Sequence, residues 1–414
     1  MNPDFQARIL EATRLTREGK VLEATALIQR ALQGDTDPPQ AAAEPAPGPG
    51  GRQPVTLDGV AERVEPAASR AEAAQPPPST PGPKPRDWAK PRSPLRNRWR
   101  NPRRPAPLNP DSLRTRATTP PTPEGAHFIG ASFANQAGSR DYKLYVPGGY
   151  RGEPLPLLVM LHGCTQNPDD FAAGTRMNQL AERHALLVVY PAQSSGANLG
   201  RCWNWFEAAE QCRDQGEPSL IAGITRQVMA DYAVDAARVY VAGLSAGGAM
   251  AAVMATTYPD LYAAVGIHSG LAFGAAHDMP SGFRAMGQGG APGRAGGRHR
   301  PIPTIVFHGD RDSTVHPDNG ESIVEQWRAG METTGIRWHT EVTQSRSADG
   351  HAHTLTRYLD AADRSLLEQW QIHGAGHAWA GGSPDGSYTD PHGPDASAEM
   401  LRFFLAHGRD AGQD

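Results

Sequence analysis

The chain is poor in cysteine and has no long apolar run. Its 414 residues include only Cys164, Cys202 and Cys212, too few for a disulfide framework. Cys202 and Cys212 lie close enough along the chain to form one bridge in an oxidising compartment; reduced thiols are the expectation otherwise. No apolar stretch approaches the roughly 20 residues that cross a bilayer. The N-terminal MNPDFQARILEATRLTREG breaks its apolar residues with charges every few positions and has no signal-peptide core, which predicts a cytoplasmic protein. Excess charge is also missing. A net charge of −4 offers no polyanion partner such as nucleic acid to the molecule as a whole. Fifteen histidines show no zinc spacing, so neither metal nor cofactor is expected. Apolar residues are only 38% of the chain, which predicts that part of it lies outside any core.

Proline and glycine are abundant, and they divide the chain. Residues 1–34 read as a helical hairpin. Phe5, Ile9, Ala12 and Leu15 fall at helical spacing, Gly19 interrupts, and Val21, Ala24, Leu27, Ile28 and Leu32 resume it. The pattern is similar to one tetratricopeptide unit, which cannot bury its apolar face alone. Residues 35–122 read as a disordered linker of Pro, Ala and Gly. Within it, segment 84–116 sets eleven Lys or Arg against Asp87 and Asp111, a net +9, with Trp88 and Trp99 interleaved. Such a segment is either a solvated tether or a contact for an anionic surface.

From residue 123 to 410 the texture is that of one α/β domain. FIGASFANQAGSRDYKLYVP reads as an antiparallel strand pair. Continuous apolar runs at 155–163, 185–191, 238–243, 263–270, 303–310 and 365–374 read as buried strands. Helical stretches at 169–184, 219–233, 245–257 and 395–407 alternate with them. This predicts a mostly parallel sheet with helices on both faces. The Gly-rich excursion 274–300 is expected to be either a flap over a site or an unstructured insertion.

The strongest signal is Gly243-Leu244-Ser245-Ala246-Gly247, a G-x-S-x-G placed directly after a buried strand and before a helix. In that setting the serine occupies a sharp turn, as the nucleophile of an α/β-hydrolase does. A serine needs a base, and the base needs an acid to orient it. In this fold the chain order is Ser, acid, His. Asp312 and His377 each follow a core strand in that order. Asp310 competes with Asp312, which is favoured because the loop must run past the strand to reach the imidazole. His308 and His316 read as structural. His351 and His353 form an H-x-H that reads as exposed on an edge strand, with no third metal ligand nearby. The oxyanion hole requires two backbone N–H groups. Ala246, after the nucleophile, supplies one; the loop His162-Gly163-Cys164-Thr165 supplies the other, through the Cys164 N–H and not its thiol.

Read together, YKLYVPGGY, LPLLVMLHGCTQNPDDFA, ALLVVYPAQ, CWNWF, the block around GLSAGG, HGDRDSTV and GAGHAWAGG resemble the polyhydroxybutyrate depolymerase family of esterases, with the related feruloyl and acetylxylan esterases. The resemblance implies hydrolysis of short-chain hydroxyacyl esters through an acyl-enzyme. It places the family's nucleophile on Ser245, its acid on Asp312, its base on His377 and its oxyanion donor on Cys164. It also puts Trp203 and Trp205 near the mouth of the site, with Trp379 two residues past the base. Flat aromatic walls there suit a polyester chain, and core packing is the alternative for Trp205. Many family members are secreted, so secretion is the alternative to a cytoplasmic location. The N-terminal 120 residues lie outside the resemblance; a polyester granule or other anionic surface is the partner expected for them, beside the ester substrate.

Overall fold

The computed structural model of the protein describes residues 122–293, 301–347 and 350–409. The hairpin expected over 1–34, the basic segment 84–116 and all but the last residue of the linker expected over 35–122 lie outside the described residues.

The strands, in chain order, are β1 (His127–Asn135), β2 (Gly138–Val146), β3 (Leu155–Leu161), β4 (Leu187–Pro191), β5 (Val234–Leu244), β6 (Ala264–His268), β7 (Thr304–Gly309), β8 (His339–Arg346), β9 (Ala352–Leu359) and β10 (Ser365–Ile372). They form one sheet in the order β1-β2-β4-β3-β5-β6-β7-β10-β9-β8. The six from β4 to β10 in that order run parallel. An antiparallel pair closes each edge. A separate two-stranded ladder joins β11 (Trp379–Ala380) to β12 (Thr389–Asp390).

The helices are α1 (Pro168–Thr175), α2 (Met177–His184), α3 (Gly216–Asp231), α4 (Ala246–Thr257), α5 (Met279–Gln288), α6 (Asp318–Glu332) and α7 (Ala396–Leu405). Side chains alternate across each strand, so the continuous apolar runs build two cores. Leu157, Val159 and Val241 meet Ile221 of α3, Met250 of α4 and Val324 of α6 on one face. Leu158, Met160 and Tyr240 meet Phe171 of α1, Leu180 of α2 and Phe403 of α7 on the other. Each such buried side chain contributes about 1.5–3 kcal/mol, and the central strands are buried throughout.

The single helix expected over 169–184 is two. Asn167 caps the first through the Asp170 N–H, and Arg176 in a left-handed conformation (φ 55°) ends it and starts the second. The expected edge position of His351 and His353 is also corrected. β9 lies between β10 and β8, and His353 within it is buried, with its Nε2 2.7 Å from Ser345 Oγ. His351 is part-buried, 2.9 Å from Asp390. Neither β8 nor α6 was expected, nor were α5 and the β11–β12 ladder. The sheet brings the C-terminal ends of β3, β5, β7 and β10 to one rim, where open α/β sheets carry their sites.

Candidate active site

At the end of β5, Ser245 caps α4 with φ 57° and ψ −120°. That conformation is strained for a residue with a side chain, at a cost of roughly 1–3 kcal/mol. It is over-determined by its surroundings. The Ser245 N–H donates to the His268 carbonyl at 2.9 Å. A Cβ on Gly243 would strike the backbone of Gly247, and one on Gly247 would strike the Leu161 carbonyl oxygen of β3. The turn therefore closes only with glycine at both positions. Ser245 keeps 8% of its surface exposed, and the first turn of α4 lies behind it, where partial positive charge favours an oxyanion.

The residues expected as acid and base lie on the loops after β7 and β10. His377 Nδ1–H donates to Asp312 Oδ2 at 2.7 Å. The other oxygen, Asp312 Oδ1, accepts the N–H groups of Thr314 (2.9 Å) and Val315 (2.8 Å). Asp312 is only 3% exposed. Burial pushes its pKa up, but the hydrogen bonds from His377 and Val315 outweigh it and hold the carboxyl below its ordinary range. Asp310 turns elsewhere. It accepts His373 Nδ1 at 3.0 Å and the Gly374 N–H at 2.7 Å. His373 Nε2 in turn lies 2.8 Å from Thr354 Oγ1. The two aspartates thus hold two different histidines.

In the turn after β3, most N–H groups are occupied. Gly163 donates to Gln166 Oε1, Thr165 to the Gly200 carbonyl and Gln166 to the Gly163 carbonyl. Among the described residues no acceptor takes the Cys164 N–H or the Ala246 N–H. These are the two groups expected at an oxyanion, and a Cβ on Gly163 would touch Ser245 Cβ at 3.5 Å. The thiol expectation is corrected here: Cys164 is bonded to Cys202, and Cys212 is the free cysteine. The bridge spans 38 residues and ties the oxyanion turn to the loop before Trp203. The alternative, Cys202 with Cys212, relied on proximity along the chain, which the fold overrides.

A family model described as Esterase PHB depolymerase matches residues 140–348. The chain belongs to this family. Over 258 residues it is 36% identical to a poly(3-hydroxyalkanoate) depolymerase C of Paucimonas lemoignei, covering 60% of each chain. It therefore spans less than two thirds of that relative's length. It is 30% identical over 280 residues to a feruloyl esterase B of Neurospora crassa, covering 63% of this chain and 86% of the other. An acetyl xylan esterase from Aspergillus awamori superimposes with a TM-score of 0.51 at 21% identity, covering 67% of this chain and 99% of that one. The fold is that of an α/β-hydrolase.

For this family member the expected aromatic walls are corrected. Trp203 is fully buried, its Nε1–H donating to the His162 carbonyl at 3.1 Å. Trp379 is 1% exposed and donates to Ser397 Oγ at 3.0 Å. Trp205 is buried as well. All three side chains are buried in the two cores, where Trp203 packs on His162 and Trp379 on Phe171 and His268. The Gly-rich excursion is in part a helix: α5 is capped by Asp278, and its Ala285 carbonyl accepts from the buried Asn319 of α6 at 2.9 Å. Residues 294–300 lie outside the described residues. Among the described residues no cluster of three or more metal-ligating side chains occurs, and no helix is long and apolar enough to cross a membrane.

One residue central to the site carries no sequence signal. His268 lies between Phe307 and Trp379, stacked on both. Its carbonyl holds the Ser245 N–H, and its Nε2 accepts the Ala380 N–H at 3.0 Å. It thereby joins the nucleophile turn to the loop that bears His377. Burial lowers its pKa to about 3, so it is neutral in the working range.

Proposed function

We propose that this protein is a serine esterase that cleaves short-chain hydroxyacyl esters, in a polyhydroxybutyrate-type polyester or its oligomers. The observation that carries the reading is the 2.7 Å Asp312–His377 bond on the same sheet rim as a serine held on a strained strand-to-helix turn. Asp312 keeps the imidazole proton on Nδ1, which leaves Nε2 to act as base. Ser245 Oγ bonds to the ester carbonyl carbon while His377 Nε2 takes its proton. The carbonyl oxygen becomes an oxyanion that accepts from the Cys164 and Ala246 N–H groups. When the C–O bond breaks, His377 returns the proton to the leaving alcohol. Water, deprotonated by the same imidazole, then adds to the acyl carbon; the bond to Ser245 Oγ breaks, His377 returns the proton to that oxygen, and the acid leaves. The identity to a poly(3-hydroxyalkanoate) depolymerase supports the hydroxyacyl class.

Ser245→Ala should lower turnover of p-nitrophenyl butyrate by about a thousandfold or more, with an unchanged circular dichroism spectrum. Retention of most activity would overturn the mechanism. A panel of hydroxybutyrate oligomers, a feruloyl ester and acetylated xylan assigns the class; the second or third as best substrate would replace it with a carbohydrate esterase.

We further propose that residues 1–120 dock the enzyme on a polyester granule or similar anionic surface. The net +9 of residues 84–116, with Trp88 and Trp99, supports this. Deleting 1–120 should leave soluble-ester turnover intact and abolish granule binding in a sedimentation assay. Unchanged sedimentation would sink the idea.

A further inference from the structure

Two buried polar side chains beside the site take no part in the chemistry above. His162 is 1% exposed and Glu217 2%. His162 ends the apolar run of β3, where a polar ring survives burial only with both nitrogens partnered. Its Nε2 lies 3.0 Å from the Gln193 backbone N–H. A backbone N–H only donates, so Nε2 carries a lone pair, and the neutral ring bears its hydrogen on Nδ1. That Nδ1–H donates to the Gly163 carbonyl oxygen at 2.8 Å.

The Gly163 carbonyl and the Cys164 N–H belong to one peptide unit. In a planar trans peptide the C=O and the N–H point in opposite directions. Holding the carbonyl against His162 therefore turns the Cys164 N–H away from the ring. The disulfide to Cys202 anchors the Cys164 side chain and the Gln166 N–H reaches the Gly163 carbonyl at 3.3 Å; the imidazole, at 2.8 Å, is the shorter of the two bonds that fix this peptide.

Gln193 is itself held in place. Its Nε2–H donates to Glu217 Oε1 and to the Cys202 carbonyl, the latter at 2.9 Å. Glu217 also accepts from Asn204 N (2.7 Å), Asn204 Nδ2 (2.9 Å) and Arg140 Nη2 (3.2 Å). One buried acid thus fixes both the loop that carries Cys202 and the N–H that sets the His162 tautomer.

We propose that His162, locked in its Nδ1–H form by Gln193 and the Glu217 cluster, is a positioning residue that aims the Cys164 N–H at the oxyanion. The inference rests on the esterase reading given under Proposed function. Burial lowers the His162 pKa to about 4, so the neutral ring persists through the range where an ester hydrolase is assayed.

The test uses the full chain, p-nitrophenyl butyrate and a trifluoromethyl ketone, whose hemiketal with serine presents the same oxyanion. His162→Leu should lower kcat about a hundredfold, the scale of one lost oxyanion donor, with KM within about twofold. It should weaken the ketone by a similar factor. His162→Asn, whose Nδ2–H can still reach the Gly163 carbonyl, should recover at least tenfold of both losses. A folded His162→Leu protein that keeps its kcat, or loses kcat without weakening the ketone, would overturn the inference, as would an Asn variant no better than Leu. Should the Leu variant not fold, imidazole nitrogen NMR of the wild type decides: a bare Nδ1 at neutral pH overturns the inference, and a protonated Nδ1 with a bare Nε2 supports it. Wild-type protein that neither turns over ester nor binds the ketone would instead overturn the esterase reading itself.

Discussion

Asp310 and Asp312 stand two positions apart, and each carboxylate accepts from a histidine at hydrogen-bond distance. What separates them is burial and the identity of the partner. The Asp312 side chain is wholly enclosed, whereas that of Asp310 is partly open to solvent. Asp312→Asn would present an amide N–H to His377 Nδ1 and favour the tautomer with the proton on the wrong nitrogen. A loss in kcat of about 10³–10⁴ is expected, on the scale measured for such a change in a serine protease. Asp310→Asn should cost less than about tenfold, since its partner His373 is joined to Thr354 and not to the Asp312–His377 pair. Comparable losses in kcat/KM for the two variants would contradict the assignment. Loop length along the chain pointed to Asp312, and the structure places that carboxylate against His377. The part played by His268 was not legible, because a lone histidine at a strand end carries no pattern.

The nucleophile turn is decided at the scale of the element. β5 must hand over to α4 within one residue while β3 passes directly beneath, so Gly247 faces the Leu161 carbonyl with no room for a methyl group. Gly247→Ala should destabilise the protein by several kcal/mol or prevent folding, through overpacking against backbone that cannot move aside. Gly149→Ala, where an added Cβ meets nothing within 4 Å, should stay within about 1 kcal/mol. Thermal melts of the two variants check this, and a Gly247→Ala protein with a wild-type Tm would refute the close approach. Apolar periodicity revealed the central strands because both their faces are buried. It could not reveal β8, whose eight residues are all exposed and which is held by its ladder to β9. α6 did carry a signal, in Ile323, Val324, Trp327 and Met331 at helical spacing, diluted by Gly320 and Gly330.

Among the described residues, imidazoles buried in neutral form set an acid limit; burial lowers the pKa of His308, His353 and His407 as well, and the shifts of His162 and His268 are large. Folding lowers the pKa of His162 from 6.5 to about 4 and that of His268 from 6.5 to about 3, in both cases chiefly by desolvation. The unfolded chain then binds these protons more readily than the folded one, so acid favours unfolding. Their contribution is present in full above pH 6.5 and is lost as pH falls from 6.5 toward 4 and, for His268, toward 3. At about 1.4 kcal/mol per pKa unit the two together are worth a few kcal/mol or more. The Tm should be level above about pH 7 and drop through this window, before carboxylates such as Asp312 begin to protonate below their ordinary range. A Tm unchanged between pH 7 and pH 4.5 would show that these rings are not neutral and buried.

The α/β architecture was legible along the chain, as were the glycine-flanked turn at Ser245, the candidates Asp312 and His377 in that order, and the loop that carries the Cys164 N–H. Each of these is written in local terms: apolar runs of strand length, glycines two positions either side of Ser245, and a strand just before each candidate residue. Which cysteines pair, that Trp203, Trp205 and Trp379 are packed inside, and that His162 and His268 tie the loops of the site together emerge once the chain is folded. Those outcomes depend on contacts across 38 residues for the Cys164–Cys202 bridge and 112 for His268 with Ala380. Strand order and burial create such contacts, and residue spacing along the chain carries no record of either.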